Sequence, residues 1–302
     1  MDRGFRILVP TRGSLPALRA CRLAATMLPP ASAEVRLFTT TERPPSDAAP
    51  PATEHASPGV ADVGRVFEEA GHAVATCVRV GDVRAEILRE IDAWSPDLVV
   101  MGRWRARMME RWMQGAVFDR VIRHIHVPVL VASYDPQREE AADDPALPAG
   151  EDAGRPEALR VLVPTRGSQW AVRASRLAAR MLTPGRASIR LLTVLPEEIY
   201  PNPYTIEGAQ VIDMSERVRW VEEAAQTAVA GSRSVFEQAG HAVDVHHRFG
   251  HPPAEILGEI VEWAPDVVVL GRWRGVSGPE WIPGSIFERV LRHSLVPTLV
   301  TK

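Results

Sequence analysis

The nonapeptide "RILVPTRGS" at residues 6–14 returns almost unchanged as "RVLVPTRGS" at residues 160–168. Four further segments recur in the same order: "VRLFTT" (35–40) as "IRLLTV" (189–194), "FEEAGHAV" (67–74) as "FEQAGHAV" (236–243), "AEILREI" (85–91) as "AEILGEI" (254–260), and "FDRVIRHIHVPVLV" (118–131) as "FERVLRHSLVPTLV" (287–300). The offset is 154 residues at first and 169 later, so the second copy carries a fifteen-residue insertion between Val194 and Phe236. Repetition at this scale predicts a duplicated domain.

The two copies are joined by a polar segment. Residues 135–158 are rich in acidic residues, proline and alanine, and almost free of large apolar side chains. Such a composition cannot bury a core, so this segment is expected to be a solvated linker. We therefore predict a first domain over residues 1–134, a linker over 135–158 and a second domain over 159–302.

Within each copy, short apolar runs alternate with segments of helical periodicity. "RILVP" is typical of a buried strand; Gly13 and Ser14 then turn the chain, and Ser14 is expected to cap the following helix. Five uninterrupted apolar strands with helices between them are typical of a parallel sheet covered on both faces. The sequence thus predicts two tandem α/β domains, each with a doubly wound sheet of five parallel strands.

Composition narrows the class of protein. The chain has 302 residues, 45% of them hydrophobic, which is enough for two ordinary domains with their own cores. A net charge of −3 argues against non-specific electrostatic binding to nucleic acid or to an anionic membrane. No apolar run reaches the ~20 residues that span a bilayer, and the N-terminal stretch lacks the hydrophobic region of a signal peptide. We expect a cytoplasmic protein with neither nucleic acid nor membrane as its partner.

The sequence lacks the residues that several kinds of catalytic and metal-binding site require. Lys302 is the only lysine, so a P-loop, a kinase site and Schiff-base catalysis have no amine to use. Cys21 and Cys77 suggest neither a disulfide nor a metal site, and the histidines of "GHAVDVHHRFGHP" (240–252) lack zinc-ligand spacing. No catalytic or metal-binding residue is predicted.

A second repeated segment points to a ligand site. "GRWRARMMERWMQG" (102–115) recurs as "GRWRGVSGPEWIPG" (271–284), with its outer glycines thirteen positions apart in both copies. In an open parallel sheet, ligands bind beyond the carboxyl ends of the strands where the strand order reverses, here between the first and fourth strands. Each segment opens at the end of the fourth strand and closes at a helix start, whose N–H groups and dipole would suit a phosphate.

Taken together, these motifs resemble the universal stress protein family in its tandem two-domain form. The resemblance rests on "ILVPTRGS" (7–14), "GDVRAEILREIDAWSPDLVVMG" (81–102), the thirteen-spaced glycines and "RVIRHIHVPVLV" (120–131). It implies an adenine nucleotide alpha hydrolase-like fold with strand order 3-2-1-4-5. It also implies that ATP or another adenine nucleotide is a candidate ligand, because some members of the family bind ATP.

The sequence departs from the pattern of the ATP-binding members at two places. Those members carry a glycine three residues into the loop, where this chain has Arg105 and Arg274. They also carry an acidic residue after the first strand, where this chain has Arg12 and Arg166. A side chain at the glycine position fills the space that backbone would use to approach a phosphate. ATP binding in the usual geometry is therefore not expected in the first copy.

The second copy keeps more of the family pattern. The hydroxyl position after the last glycine is Ala116 in the first copy and Ser285 in the second, and Gly275 lies next to Arg274. A shifted loop could therefore still admit phosphates in the second copy.

The arginines suggest another mode of recognition, because guanidinium groups bind phosphate or carboxylate in a bidentate manner. We predict an arginine-lined anion or nucleotide crevice in each copy. The candidate residues are Thr11, Arg12, Gly102, Arg103, Arg105 and Gly115 in the first copy, and Thr165, Arg166, Gly271, Arg272, Arg274, Gly275, Gly284 and Ser285 in the second. In the alternative interpretation, these arginines pair with local acids such as Glu110 or Glu280 and plug a vestigial pocket.

The expected function is that of a non-catalytic stress-response or signalling module. In the family that the chain resembles, domains pair along their last strands, which implies an intramolecular pseudo-dimer here, with a homodimer also left open. Two alternatives remain: an interaction protein with closed pockets, and a slow nucleotide hydrolase in the second domain.

Overall fold

The computed structural model of the chain describes residues 4–41, 58–104, 118, 121–122, 124–135, 158–196, 214–271 and 286–301. These residues form two compact units. One contains the described residues up to 135 together with 297–301, and the other contains 158–271 and 286–296.

The first unit has an open sheet with helices in the connections. Its elements are β1 (Phe5–Pro10), α1 (Leu15–Met27), β2 (Ala33–Thr41), α2 (Pro58–Glu69), β3 (Ala73–Val80), α3 (Val83–Trp94), β4 (Leu98–Trp104) and β5 (Val129–Tyr134). Its parallel strands lie in the order β3-β2-β1-β4-β5, which is the predicted order 3-2-1-4-5. The α/β class and the parallel sheet are therefore confirmed.

The last strand of the chain lies in this first unit, although its sequence belongs to the second copy. This strand, β10 (Thr298–Thr301), pairs antiparallel with β5, with Leu299 opposite Leu130. The sheet of the first unit is consequently mixed rather than purely parallel.

The second unit repeats the same architecture. Its elements are β6 (Leu159–Pro164), α4 (Gln169–Met181), β7 (Ala187–Leu195), α5 (Met214–Gln238), β8 (Val243–Phe249), α6 (Pro252–Trp263), β9 (Val267–Gly271) and α7 (Ile286–His293). Its strands lie in the order β9-β6-β7-β8 and are all parallel. Among the described residues, no helix combines the length and apolar character needed to cross a membrane.

The central strands are apolar throughout because both faces of each sheet are covered. Ile7, Leu8 and Val9 of β1 are fully buried, as are their counterparts Val161, Leu162 and Val163 of β6. Parallel strands with helices on both sides require such continuous apolar runs. The predicted site residues Thr11 and Thr165 follow directly after these two strands.

The insertion in the second copy extends one helix. The helix α5 has 25 residues, whereas its counterpart α2 has 12. Its added turns form a small apolar cluster, in which Val221 and Ala225 pack with Leu195 and against Phe249. The added turns are therefore held to the carboxyl ends of β7 and β8.

Candidate functional site

The loop after the first strand has the same hydrogen bonds in both units. Thr11 is buried, its backbone N–H donates to the Phe38 carbonyl at 2.9 Å, and its Oγ1 accepts from the Gly13 N–H at 2.9 Å. In the second unit, Thr165 Oγ1 accepts from the Gly167 N–H at 3.1 Å. A threonine hydroxyl that closes a turn in this way fixes the position of the residue between, here an arginine.

Those arginines project from the loop into solvent. Arg12 and Arg166 are both exposed, and neither makes an ion pair or a side-chain hydrogen bond among the described residues. Each follows the buried threonine after the first strand, so its backbone lies at the carboxyl edge of the sheet and its side chain is exposed there. At that edge they are accessible to an anion from solution.

The end of the fourth strand meets the helix that follows this loop. A Cβ placed on Gly102 would lie 2.2 Å from the backbone nitrogen of Ala17, and one on Gly271 would lie 2.3 Å from the carbonyl carbon of Trp170. Both contacts fall in the first turn of the helix, α1 or α4. The structure thus brings the two predicted segments together, and it explains these glycines by protein packing rather than by contact with a ligand.

The side chains that follow Gly102 are engaged within the protein. The guanidinium of Arg103 lies 5.3 Å from the ring centroid of Phe118, a cation–π distance. The ring of Trp104 packs edge-on against Tyr134, with centroids 4.9 Å apart. These contacts give both side chains a packing role.

The rest of the candidate site lies outside the described residues. This holds for Arg105, Gly115, Arg272, Arg274, Gly275, Gly284 and Ser285, and also for the acids Glu110 and Glu280. Their roles stay predictions.

The first helix starts differently in the two units. Ser168 caps α4, its Oγ accepting from the Ala171 N–H at 3.2 Å. The expectation that Ser14 caps α1 through its side chain is wrong, because Ser14 occupies the N-cap position but makes no such hydrogen bond. A cap can accept from the second or third helical N–H, and Pro16 removes the first of these donors.

The two loops also differ in how closely the next helix approaches. In the first unit, a Cβ on Gly13 would lie 2.2 Å from the carbonyl carbon of Gly59 in α2. In the second unit, a Cβ on Gly167 would lie 3.3 Å from the carbonyl oxygen of Ala228 in α5. Among the described residues, the next helix therefore approaches Gly167 less closely than it approaches Gly13.

Each unit also contains a buried carboxylate that sequence reasoning missed. Glu90 of α3 is 1% exposed and accepts from Arg36 at 2.6 Å and from Arg79 at 2.8 Å. Arg36 also lies 4.3 Å from the ring centroid of Trp94. The signal was available in the sequence: each of these residues recurs in the second copy, although charge is costly inside apolar strands.

The second unit enlarges this network. Glu259 is 1% exposed and contacts Arg190 at 2.9 Å, Arg248 at 2.9 Å and His246 at 3.1 Å. Burial raises the pKa of Glu259, but hydrogen bonds from the two arginines and His246 outweigh it, so the pKa is lowered. This network ties α6 to β7 and β8 and belongs to the framework rather than to the crevice.

Other clusters of reactive residues are scarce. Within the described ranges, no group of three or more histidine, cysteine, aspartate or glutamate side chains is arranged to hold a metal ion. Both cysteines are free, and burial strongly raises the pKa of the Cys21 thiol, which keeps it protonated and unreactive.

Comparison with known proteins agrees with the fold. Residues 5–133 and 158–302 each match the sequence model of the universal stress protein family. A universal stress protein of Methanocaldococcus jannaschii is 28% identical over 144 residues, covering 44% of this chain and 84% of the relative. A universal stress protein from Archaeoglobus fulgidus has a similar fold, with a TM-score of 0.58, 20% identity and 98% of both chains covered. A protein of unknown function from Pseudomonas aeruginosa is similar too, with a TM-score of 0.57, 16% identity and coverage of 98% of this chain and 92% of its own.

Proposed function

The chain belongs to the universal stress protein family in its tandem form, and from this premise we propose that it is a non-catalytic ligand-binding module of the stress response. Its ligand is a small anion, with inorganic phosphate, ATP and other adenine nucleotides as the leading candidates. The site is the crevice at the carboxyl ends of the first and fourth strands. The protein acts in the cytoplasm through the bound or free state of this crevice.

One observation carries the proposal. The same exposed arginine, held by the same threonine turn and without an ion-pair partner among the described residues, follows the first strand of both units. An unpaired guanidinium beside the first turn of a helix combines a fixed positive charge with the positive end of a helix dipole. That combination favours phosphate and carboxylate groups.

The second unit is the better binding site of the two. The wider spacing between Gly167 and Ala228 leaves room beside Arg166, whereas Gly13 and Gly59 are in backbone contact. In this proposal Thr165, Arg166 and Gly271 frame one side of the ligand. Arg272, Arg274, Gly275, Gly284 and Ser285 of the following loop close the other side.

The proposed organisation follows the sequence repeat. The first domain spans residues 1–134 and the second spans 159–302, joined by the acidic linker. In this proposal the two domains form an internal pseudo-dimer through their last strands.

Calorimetric titration tests the proposal. Wild-type protein is titrated with ATP, AMP and inorganic phosphate, alongside Arg166→Ala and Arg176→Ala. Both arginines are exposed, but Arg176 lies on the outer surface of α4 and serves as the matched control. We expect saturable heat that is lost in Arg166→Ala and kept in Arg176→Ala. Equal binding by all three proteins, or no heat at millimolar ligand, would refute the proposed site.

A second function is favoured by one feature of the first unit. The backbone contact between Gly13 and Gly59 closes the space beside Arg12, as in an interaction module with a sealed pocket. The same titration with Arg12→Ala and its control Arg22→Ala distinguishes the two functions for this unit. A closed first site predicts that neither substitution changes the stoichiometry or the heat.

A further inference from the structure

The helix before the outer strand ends in the same way in both units. In the first unit, α2 is followed by Gly71 with a φ of 81°, whose N–H donates to the Glu68 carbonyl at 2.9 Å. The next N–H, that of His72, donates to the Phe67 carbonyl at 2.9 Å. These two bonds define a Schellman motif, and such motifs usually add a hydrophobic contact between the residue after the glycine and the residue at the start of the last turn.

In this chain a histidine fills that hydrophobic position. The imidazole of His72 is 4% exposed and packs on the Phe67 ring, with centroids 6.1 Å apart. Neither of its ring nitrogens makes a hydrogen bond with the residues that the structure describes. A buried polar ring without a hydrogen bond is costly, and a leucine at this position would carry no such cost.

The second unit repeats the arrangement. His241 is 4% exposed, packs on Phe236 at a centroid distance of 6.0 Å, and follows Gly240, whose φ is 82°. Its ring lies beside the backbone of Ala179 near the end of α4, but neither nitrogen reaches ordinary hydrogen-bond geometry. An unfavourable residue in the same slot of both copies indicates a property that an apolar residue cannot supply, namely the ability to take up a proton.

We propose that His72 and His241 are acid-sensitive latches, which hold the helix end and the adjoining outer strand closed while neutral and release them when protonated. A protonated imidazole in this slot would be a buried cation, which is far more costly to bury than the neutral ring. Proton uptake is therefore coupled to local opening.

Among the described residues, no charged group is found to shift the pKa of His72. The helix that ends before His72, α2, packs against α1, β2 and β3. The end of α2 carries Glu68 and Glu69, and Glu34 of β2 pairs with Arg6. Burial alone lowers the pKa of His72 below its ordinary value of 6.5.

The second unit gives the same result. Charged residues on the elements that adjoin this helix end include Glu237 on α5, which pairs with Arg233, Asp244 on β8, which pairs with Arg190, and Arg180 in the last turn of α4. Burial lowers the pKa of His241, and the Ala179 backbone opposes this only in part. Because the folded pKa lies below the unfolded one, stability is full above about pH 6.5 and is lost as the pH falls towards the folded value.

Local opening at the histidine end of α2 or α5 would also affect the candidate site, because the same helix contacts the loop after the first strand. The helix α2 contacts the first-strand loop near its other end, through Gly59, whereas α5 contacts the corresponding loop in mid-helix, through Ala228. A helix released at its histidine end would therefore loosen its hold on that loop.

Hydrogen exchange resolved by peptide tests the proposal in the full-length protein, without any ligand. After correction for intrinsic chemistry, we expect the opening constants of peptides covering 67–76 and 236–245 to rise by up to about tenfold per pH unit below ~6.5. The double variant His72→Leu/His241→Leu should lose this rise, and His251→Leu, which alters an exposed histidine, should keep it. Equal pH dependence in all three proteins would overturn the proposal.

An NMR titration of the two imidazoles keeps the test independent of the variants. In wild-type protein, both rings should stay neutral as the pH falls below 6.5, the ordinary pKa of a histidine side chain. Ordinary titration of His72 and His241 near pH 6.5, with no accompanying local opening, would also overturn the proposal.

Discussion

At the scale of single residues, the loop "TRGS" combines a structural and a functional part. The threonine closes the turn, the arginine is presented to solvent, and the glycine supplies a positive φ of 79° in the first unit and 78° in the second. In the second unit, Ser168 also caps the next helix, so Arg166 alone in this loop has no structural contact with the described residues, and it is the residue to which we propose a binding role.

The glycines of this loop should respond very differently to substitution. Gly167→Ala introduces a Cβ at positive φ, which costs about 1 kcal/mol of unfolding free energy. Gly13→Ala adds a clash with the Gly59 backbone at 2.2 Å and should cost a further ~1–3 kcal/mol. Urea unfolding measures both, and Gly185→Ala, at a φ of 76° with no atom within 4 Å of its added Cβ, isolates the conformational cost. Equal losses in all three variants would contradict the close contact.

At the scale of elements, α6 is held to the sheet by charge as well as by packing. Arg248 of β8 contacts Glu255, Glu259 and Glu262, which lie on successive turns of α6. These contacts hold α6 to the sheet along its whole length. The buried Glu259 therefore has a structural role.

Removing the charge of Glu259 should destabilise the second unit in a pH-dependent way. Glu259→Gln leaves two half-buried arginines without their shared buried partner and should cost about 3 kcal/mol near neutral pH. The folded pKa of Glu259 is lowered, so its contribution is full above the unfolded value of about 4.5 and is lost as the pH falls below it. Unfolding measured from pH 7 to 3 should show the two proteins converging in acid. The exposed Glu262→Gln should change little, and a constant difference between wild type and Glu259→Gln would contradict the assignment.

The extension of α5 depends on its apolar cluster. Val221→Ala removes part of the contact with Leu195 and Phe249 and should cost about 1–2 kcal/mol, because methyl groups leave a packed cluster. We expect faster proteolytic cleavage near the start of α5, whereas Val261→Ala, at a side chain 80% exposed, should leave cleavage unchanged. Unchanged cleavage in Val221→Ala would mean that other contacts hold the extension.

The elements also show what could be predicted from sequence. The strand runs followed from apolar periodicity, because fully buried strands must be apolar. The repeat followed from comparing the two halves of the sequence, and the strand order was implied by the resemblance to the family. The buried carboxylates Glu90 and Glu259 were missed, because each is stabilised by arginines from two other strands and local sequence does not show that pairing. The helix cap was predicted from Ser14 alone, and Pro16, two residues on, removed one of the donors that it could have used.

At the scale of the whole molecule, the chain ends in the unit where it began. Leu299 and Val300 of β10 are buried in the first unit, although they derive from the second copy. The sequence repeat predicts that each strand belongs to the domain of its own copy. Only the structure shows that β10 lies in the compact unit of the first copy.

The final strand should therefore stabilise the first unit. Leu299→Ala removes a fully buried side chain beside β5 and should cost about 2–4 kcal/mol. Hydrogen exchange of the β5 amides should accelerate in this variant, while the amides of β7 should stay protected. Loss of protection confined to β7 would contradict the assignment of β10 to the first unit.

The central claim is that the second unit binds a small anion at the loop carrying Arg166, and backbone amide NMR during an ATP titration tests it most directly. We predict saturable shifts of the amides of residues 165–168 and of Gly271, with the α6 amides unmoved, and loss of those shifts in Arg166→Ala. Spectra that stay unchanged at millimolar ATP and at millimolar inorganic phosphate would contradict the account.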